Sequence, residues 1–269
     1  MECLHRGEYF CDEKQIFDFG DLIITETEVK NSAVDWHYHE NPYFSYSLEG
    51  YCVEKNKKQS YPVQSGTLLF HNWQDQHCNS NHSAKSRNLY IELEKEWFEK
   101  YDLKNDIMEG SNQIDHPSVK TLYHQIYIET KLKGNTFQMA TESLLLNIFG
   151  LLSEVNVAKT TSRPPWVNTV KEIIHDQFSE KITLQFLSKE TNIHPTHISR
   201  DFPRYFGATL GSYIRKIRIE HSVSLLIKSE SVTDIAYQCG FSDQSHFIRC
   251  FKSTYDMTPN KLKNILASR

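Results

Sequence analysis

The chain has 269 residues, 39% of them hydrophobic and 24% charged, with a formal net charge of −4. That is the composition of a folded globular protein with room for one large domain or two ordinary ones. No apolar run reaches the roughly 18 residues of a membrane span. Met1 to Lys14 mixes acidic and basic residues without the apolar core of a secretory leader, so a cytoplasmic protein with no membrane partner is expected. Residues 164–269 carry 14 basic and 10 acidic residues, against 16 and 24 in residues 1–163; a polyanion would meet the C-terminal part.

From about 15 to 100 the pattern is one of short apolar or alternating runs broken by turn residues. Asp21 to Thr27, Tyr43 to Leu48, Tyr51 to Val53 and Gly66 to Phe70 read as strands, with turns at Asn41-Pro42, Glu49-Gly50 and Ser65-Gly66. Closely spaced strands imply a sandwich or barrel. Trp36-His37-Tyr38-His39 opens a stretch rich in His and aromatic residues, and on a strand His37 and His39 point to one face. Together with Pro62, Gly66, His71 and His77, this stretch resembles the cupin barrel. The resemblance implies an effector-sensing domain over 1–105. Trp36, His37, His39, Tyr43, Tyr46, His71, Trp73 and His77 are its candidate effector-binding residues; simple barrel core is the alternative for most of them. His37, His39 and His77 offer three imidazoles, but the glutamate that metal-binding cupins place four or five residues beyond the second histidine is absent. Tyr43 and Phe44 stand there, and Glu40 would point away from His39. No metal and no cofactor are therefore expected, and a metal-dependent cupin enzyme, the competing function, lacks its ligand set.

Between about 116 and 155 the period becomes helical. Val119, Leu122, Tyr123 and Ile126 share one face, and Phe137 to Val155 is apolar around much of its circumference. Region 106–158 is thus a helical packing or dimerisation segment, with core packing and a homodimer contact both open. Residues 159–165, polar and closed by Pro164-Pro165, form a linker. None of the six cysteines, Cys3, Cys11, Cys52, Cys78, Cys239 and Cys250, forms a C-x-x-C pair; free thiols are expected rather than a zinc ribbon.

Residues 166–269 contain an internal echo. Ile198-Ser199-Arg200-Asp201-Phe202 is matched 49 residues on by Phe247-Ile248-Arg249-Cys250-Phe251, and Leu187 and Asn192-Ile193 by Ile235 and Gly240-Phe241. Each copy reads as a helix, a tight turn and a second helix. Ser231 is placed to cap the first helix of the second copy and Ser242 its second helix. Gly240 and Asn192 supply the left-handed turns, and Pro195 opens a helix. This is paired helix-turn-helix architecture. Outward-facing residues of the two second helices, near 195–206 and 243–254, are candidate DNA contacts, with a solvated surface as the alternative for each. They are Thr196, His197, Ser199, Arg200 and Arg204 in the first, and Asp243, Gln244, Ser245, His246, Ile248, Arg249 and Lys252 in the second.

The run Asp234-Ile235-Ala236, Gly240-Phe241-Ser242-Asp243-Gln244-Ser245-His246-Phe247, Arg249 and Phe251-Lys252, followed by Thr258-Pro259, resembles the signature of AraC/XylS-type transcription regulators. Arg200, Phe202, Gly207, Tyr213-Ile214 and Arg218 fit the rest of that domain. The resemblance implies an α+β chain of two domains, with an AraC-type DNA-binding domain over 166–269 whose recognition helices enter successive major-groove segments. It implies a transcription regulator, an activator or a repressor, that responds to a sugar or related metabolite. Double-stranded promoter DNA, a second copy of the chain and RNA polymerase are the expected partners. Pro203 inside the first recognition helix, and acidic Asp201 beside Arg200, depart from the family pattern. No P-loop, nucleophile elbow or paired-carboxylate motif points to catalysis.

Overall fold

A computed structural model of the chain describes residues 2–29, 33–103, 111–159, 164–228 and 230–267, with side chains at all of these except 154–159 and 267. The chain divides into two units, Met1–Asn156 and Val157–Arg269. The first is built on sheets and the second is helical, which is the α+β pairing expected. The expected boundary at 105/106 and linker positions 160–163 lie outside the described residues.

Among the described residues ten strands precede the first helix: β1 (Glu2–Leu4), β2 (Asp12–Asp18), β3 (Leu22–Val29), β4 (Val34–His39), β5 (Tyr43–Glu49), β6 (Tyr51–Asn56), β7 (Ser60–Gln64), β8 (Leu68–His71), β9 (His77–Ser80) and β10 (Ser86–Leu93). A two-residue strand, β11 (Asn112–Gln113), follows helix α1 (Lys95–Lys100). They form a five-stranded sheet in the order β1-β4-β9-β6-β7 and a six-stranded sheet in the order β11-β8-β5-β10-β3-β2. Among the described residues no strand pairs across the two sheets, so the barrel takes the form of a two-sheet sandwich. Among the described residues all strand pairs are antiparallel except β1 with β4.

Alternation along the strands separates two environments. On β5, Tyr43 and Ser45 face the space between the sheets. Phe44 and Tyr46 face the opposite way, onto the helices α2 (Pro117–Leu132) and α3 (Phe137–Lys159). The Phe44 ring lies 5.7 Å from Phe149, and Tyr46 Oη is 2.6 Å from His124 Nε2. The Tyr123 hydroxyl donates to the Leu89 carbonyl of β10 at 3.0 Å. Helix α3 buries Phe137, Leu145, Ile148, Phe149 and Leu152, while Met139 is 71% exposed; its buried face belongs to its own unit's core. Beneath α2, the Glu26 carboxylate accepts from both Arg87 and Lys131, which ties β3, β10 and α2 together.

The second unit contains α4 (Pro165–Asp176), α5 (Leu184–Thr191), α6 (Pro195–Phe206), α7 (Leu210–Ile227), α8 (Val232–Gln238), α9 (Gln244–Tyr255) and α10 (Pro259–Ala267). Helix α7 is its spine and packs on α6, α8, α9 and α10. One core, under α4 to α6, gathers Val170, Ile174, Leu187, Ile198 and Phe202 against Ile214 and Ile217 of α7. In the second half Val232, Ile235, Ala236, Cys239, Phe241, Phe247, Phe251 and Leu262 are buried. Arg218 of α7 links the halves. Its guanidinium donates to the Phe178 carbonyl at 2.7 Å, to the Glu180 carbonyl at 2.8 Å, and to the Gly240 carbonyl.

Candidate nucleic-acid interface and inner cavity

The first helix-turn-helix consists of α5 and α6. Thr183 caps α5 by accepting from the Phe186 N–H at 3.1 Å, and the helix stops at Asn192, which takes the left-handed conformation at φ 56°. His194 caps α6 with Pro195 in its first turn. Ile198 and Phe202 are fully buried. That anchorage turns Thr196, His197, Ser199, Arg200 and Arg204 to solvent. Arg200 is not a free reader, because its Nε donates to Asp201 Oδ1 at 2.8 Å and its Nη2 lies 3.1 Å from His197 Nδ1. The Arg200 hydrogen bond in turn holds the Asp201 carboxyl down at about 2. Pro203 cannot donate to Ser199, yet α6 runs through it to Phe206 and closes at Gly207, φ 66°. The proline is accommodated within the helix.

The second helix-turn-helix consists of α8 and α9. Ser231 caps α8 through the Asp234 N–H at 3.1 Å. After Cys239 the chain turns at Gly240, φ 75°, and the Phe241 N–H returns to the Ala236 carbonyl at 2.9 Å. The cap of α9 is Asp243, not Ser242. Asp243 Oδ1 accepts from the His246 N–H at 2.7 Å, and the Ser242 hydroxyl donates to Oδ2 at 3.1 Å. Extended backbone at Asp243 (φ −158°) and a longer-reaching carboxylate give it the position. Phe247 and Phe251 are fully buried. Ser245, Arg249 and Lys252 are exposed, and Gln244, His246 and Ile248 are half-buried. Thr233 of α8 donates to the Gln244 side-chain carbonyl at 3.2 Å, so that amide is oriented before any ligand arrives.

In the first unit, a cavity of about 60 Å³ lies between the sheets. Of the eight candidate effector residues, His37, His39, Tyr43, His71 and His77 line it. Trp36, Tyr46 and Trp73 do not, and for them the expectation is corrected. Trp36 has the opposite strand parity to His37, Tyr46 the opposite parity to Tyr43, and Trp73 lies beyond β8 at 53% exposure. The structure adds Tyr9, Glu54, Asn79, Asn88 and Tyr90. Sequence reasoning missed these, although period-2 alternation on β6 and β10 puts Glu54 on the face of Cys52, and Tyr90 on the face of Asn88. Tyr9 stacks on Tyr90 with ring centroids 4.1 Å apart.

The cavity is electrostatically unusual. Burial, then repulsion from His77, holds His37 down at about 4 and His39 at about 2. Burial also pushes His71 well below the usual histidine range and Tyr9, Tyr43 and Tyr90 well above the usual phenol range. Near neutral pH these rings present uncharged donors and acceptors. Tyr43 Oη lies 3.0 Å from His77 Nε2. Glu54 accepts from the Tyr61 hydroxyl at 2.7 Å and from Asn79 Nδ2 at 3.2 Å.

Comparison with known proteins bears on the helical unit most directly. Residues 187–265 match the family model described as a helix-turn-helix domain. The probable transcription factor PqrA of Proteus vulgaris is 38% identical over 88 residues, which cover 32% of this chain and 72% of that protein. The transcriptional activator RhaS of Citrobacter koseri is 21% identical over 276 residues, covering 98% of this chain and 97% of that one. Among solved structures, ToxT from Vibrio cholerae aligns over 92% of this chain and 100% of its own, at 15% identity and a TM-score of 0.38.

Proposed function

Because the chain belongs to the AraC/XylS family of helix-turn-helix transcription regulators, we propose that it activates transcription by setting α6 and α9 into successive major-groove segments of an operator, about one helical turn or ~34 Å apart. The observation that carries this reading is the duplication itself. Two independently capped helices are anchored by equivalent buried pairs, Ile198/Phe202 and Phe247/Phe251, and both present polar residues outward. Arg249 and Lys252 suit guanine edges or phosphates, and Gln244 suits adenine. Ser245, His246 and Ile248 complete the α9 surface. Thr196, His197, Ser199, Arg200 and Arg204 make the corresponding surface on α6. Asp243 contributes by fixing the first turn of α9.

The first unit is the sensor on this reading. Its cavity offers buried imidazole, phenol, amide and carboxylate groups, which suit a sugar or another small polar metabolite. At about 60 Å³ it accommodates a few water molecules. A ligand of sugar size therefore has to displace lining side chains, and that displacement is a means by which binding distinguishes two states of the unit. Exposed Leu132 and Met139 at the ends of α2 and α3 support a homodimer contact in region 106–158. RNA polymerase is the further partner that activation requires. Among the described residues no helix is long and apolar enough to cross a membrane, consistent with action on cytoplasmic DNA.

The test is binding of the full-length chain to DNA from its own upstream region, against scrambled competitor, across a salt series. Specific binding whose logarithm falls by roughly 0.9 per phosphate contact with log salt is expected. Equal affinity for upstream and scrambled DNA at every salt concentration would contradict the reading.

A further inference from the structure

Helix α9 starts on a side-chain contact made across the turn of its own helix-turn-helix. Thr233 Oγ1 of α8 donates to Gln244 Oε1, in the first turn of α9, at 3.2 Å. Each partner stands on a first turn that its own cap holds still. Ser231 Oγ accepts from the Asp234 N–H at 3.1 Å and donates to Asp234 Oδ2 at 2.5 Å. Asp243 Oδ1 accepts from the His246 N–H at 2.7 Å. Helices α8 and α9 pack on each other, with Ile235, Ala236, Phe241 and Phe247 buried. Gln244 is half-buried, whereas Ser245 and Arg249 are exposed.

A primary amide carries an acceptor oxygen with two lone pairs and a nitrogen with two donor protons. In the major groove adenine presents a matching pair, the N6 donor beside the N7 acceptor, whereas guanine presents two acceptors, N7 and O6. A glutamine that turns freely about its last torsion offers its nitrogen to either purine. With the oxygen tied to α8, the amide keeps one orientation, and a second lone pair on Oε1 and the Nε2 protons are left for a base. Ordering the side chain before DNA arrives also reduces the rotamer entropy that binding would otherwise cost.

We propose that Thr233 is a specificity-determining positioning residue: without touching a base, it holds the Gln244 amide for the donor–acceptor edge of one adenine in the operator. This rests on the reading of α9 as a recognition helix. The other polar contacts differ in kind. Arg249 and Lys252 serve a guanine edge or a phosphate equally, and Arg200 has to leave Asp201, to which its Nε donates at 2.8 Å, before it reaches DNA. Gln244 keeps its intramolecular hydrogen bond while it binds, because its oxygen accepts twice.

The experiment takes the full-length chain and the site it protects in DNA from its own upstream region, and competes that site against copies changed one base pair at a time. Wild-type protein is expected to prefer A·T at one base pair by about 5-fold to 150-fold. Gln244→Ala removes that preference and no other. Thr233→Val reduces the same preference by about 2-fold to 10-fold and leaves the other base pairs as they were. Thr233→Ser, which keeps the hydroxyl, restores it, and Thr233→Val adds nothing in a Gln244→Ala background. Circular dichroism establishes that each variant is folded; should Thr233→Val not fold, Thr233→Ala deletes the same hydroxyl at this exposed position. The proposal is overturned if the folded variant without the hydroxyl keeps the full preference, if it weakens binding to every sequence alike, if Thr233→Ser fails to restore the preference, or if the base pair that Gln244→Ala relaxes is not A·T. Each of those results leaves the wild-type preference for its operator over scrambled DNA standing. Equal wild-type affinity for operator and scrambled DNA instead brings down the recognition-helix reading, and this proposal with it.

Discussion

Gly240 and Gly207 both stand in the left-handed region, at φ 75° and 66°, and an alanine at either pays the same backbone penalty of about 1–2 kcal/mol. Their surroundings differ. At Gly207 an added Cβ would meet nothing within 4 Å, whereas at Gly240 it would lie 2.2 Å from the Ser179 carbonyl oxygen. That oxygen cannot easily retreat, because the Arg218 guanidinium grips the carbonyls on either side of it, Phe178 and Glu180, as well as that of Gly240 itself. Relieving the overlap needs a backbone shift of roughly an ångström, at an overpacking cost of about 1–3 kcal/mol. Gly207→Ala is therefore expected to lose about 1–2 kcal/mol and Gly240→Ala about 2–5 kcal/mol. Urea unfolding of the full chain, followed by far-ultraviolet circular dichroism of the helical unit, measures both. Gly240→Ala should also weaken operator binding, because the turn aims α9. Equal losses from the two substitutions would show that the Ser179 contact does not constrain the turn.

Other substitutions test the interface and the sensor unit. Arg249→Ala should weaken specific DNA binding by about 1–3 kcal/mol if the side chain reads a base; undiminished affinity in a competition assay removes Arg249 from the interface. Asp201→Asn should release Arg200, tighten DNA binding and steepen its salt dependence, and weaker binding would mean that Asp201 itself contacts the DNA. For Glu26, burial opposes ionisation, but the Lys131 and Arg87 hydrogen bonds outweigh it, and the folded pKa lies below the ordinary 4.5. A lowered folded pKa means that the stabilisation from this carboxylate is complete above about 4.5 and drains away as pH falls through the lower folded value. Glu26→Gln should cost about 1–3 kcal/mol at neutral pH, by taking the shared counter-charge from two half-buried cations, of which Arg87 retains only Glu49 at 3.9 Å, and should flatten the acid limb of thermal stability; an unchanged acid limb would refute the assignment.

The helical unit was nearly all legible in the sequence because its determinants are local. Ser231 caps, Asn192 and Gly240 turn left-handed, and Ile198, Phe202, Phe247 and Phe251 are core, each readable within a span of a few residues. The error there, Ser242 for Asp243 as the cap, is a shift by one residue between two good capping types. The sheet unit was harder to read because its signals are non-local. The pairing partner of β10 on either side, β3 or β5, is far away in sequence. Ser86-Arg87-Asn88 and Glu92 disguise β10 as a polar segment, because their partners, Glu26 for Arg87 and Asn41, Gly7 and Tyr9 for Glu92, are distant. The histidine face was legible from alternation. Glu54 was not legible as a lining residue, because only strand order brings β6 beside β9.

The two helix-turn-helix units share a backbone plan but not an electrostatic one. For Arg200 to reach a phosphate or a guanine it must leave Asp201, which holds it through two nitrogens at 2.8 and 3.2 Å. Its net contribution is the difference between two charge-assisted interactions. Asp201 would also sit close to the same phosphates, where like-sign charge opposes approach. On α9, neither Arg249 nor Lys252 lies within ion-pair distance of a carboxylate among the described residues, and the acidic residue at its start, Asp243, turns both oxygens toward capping partners. A contact from α9 therefore gives up only water. On these grounds α9 should supply the larger share of the affinity, and α6 should act chiefly as a discriminator. Arg200 would change partners only where the DNA offers a better acceptor than Asp201, so that wrong sequences leave the intramolecular pair in place.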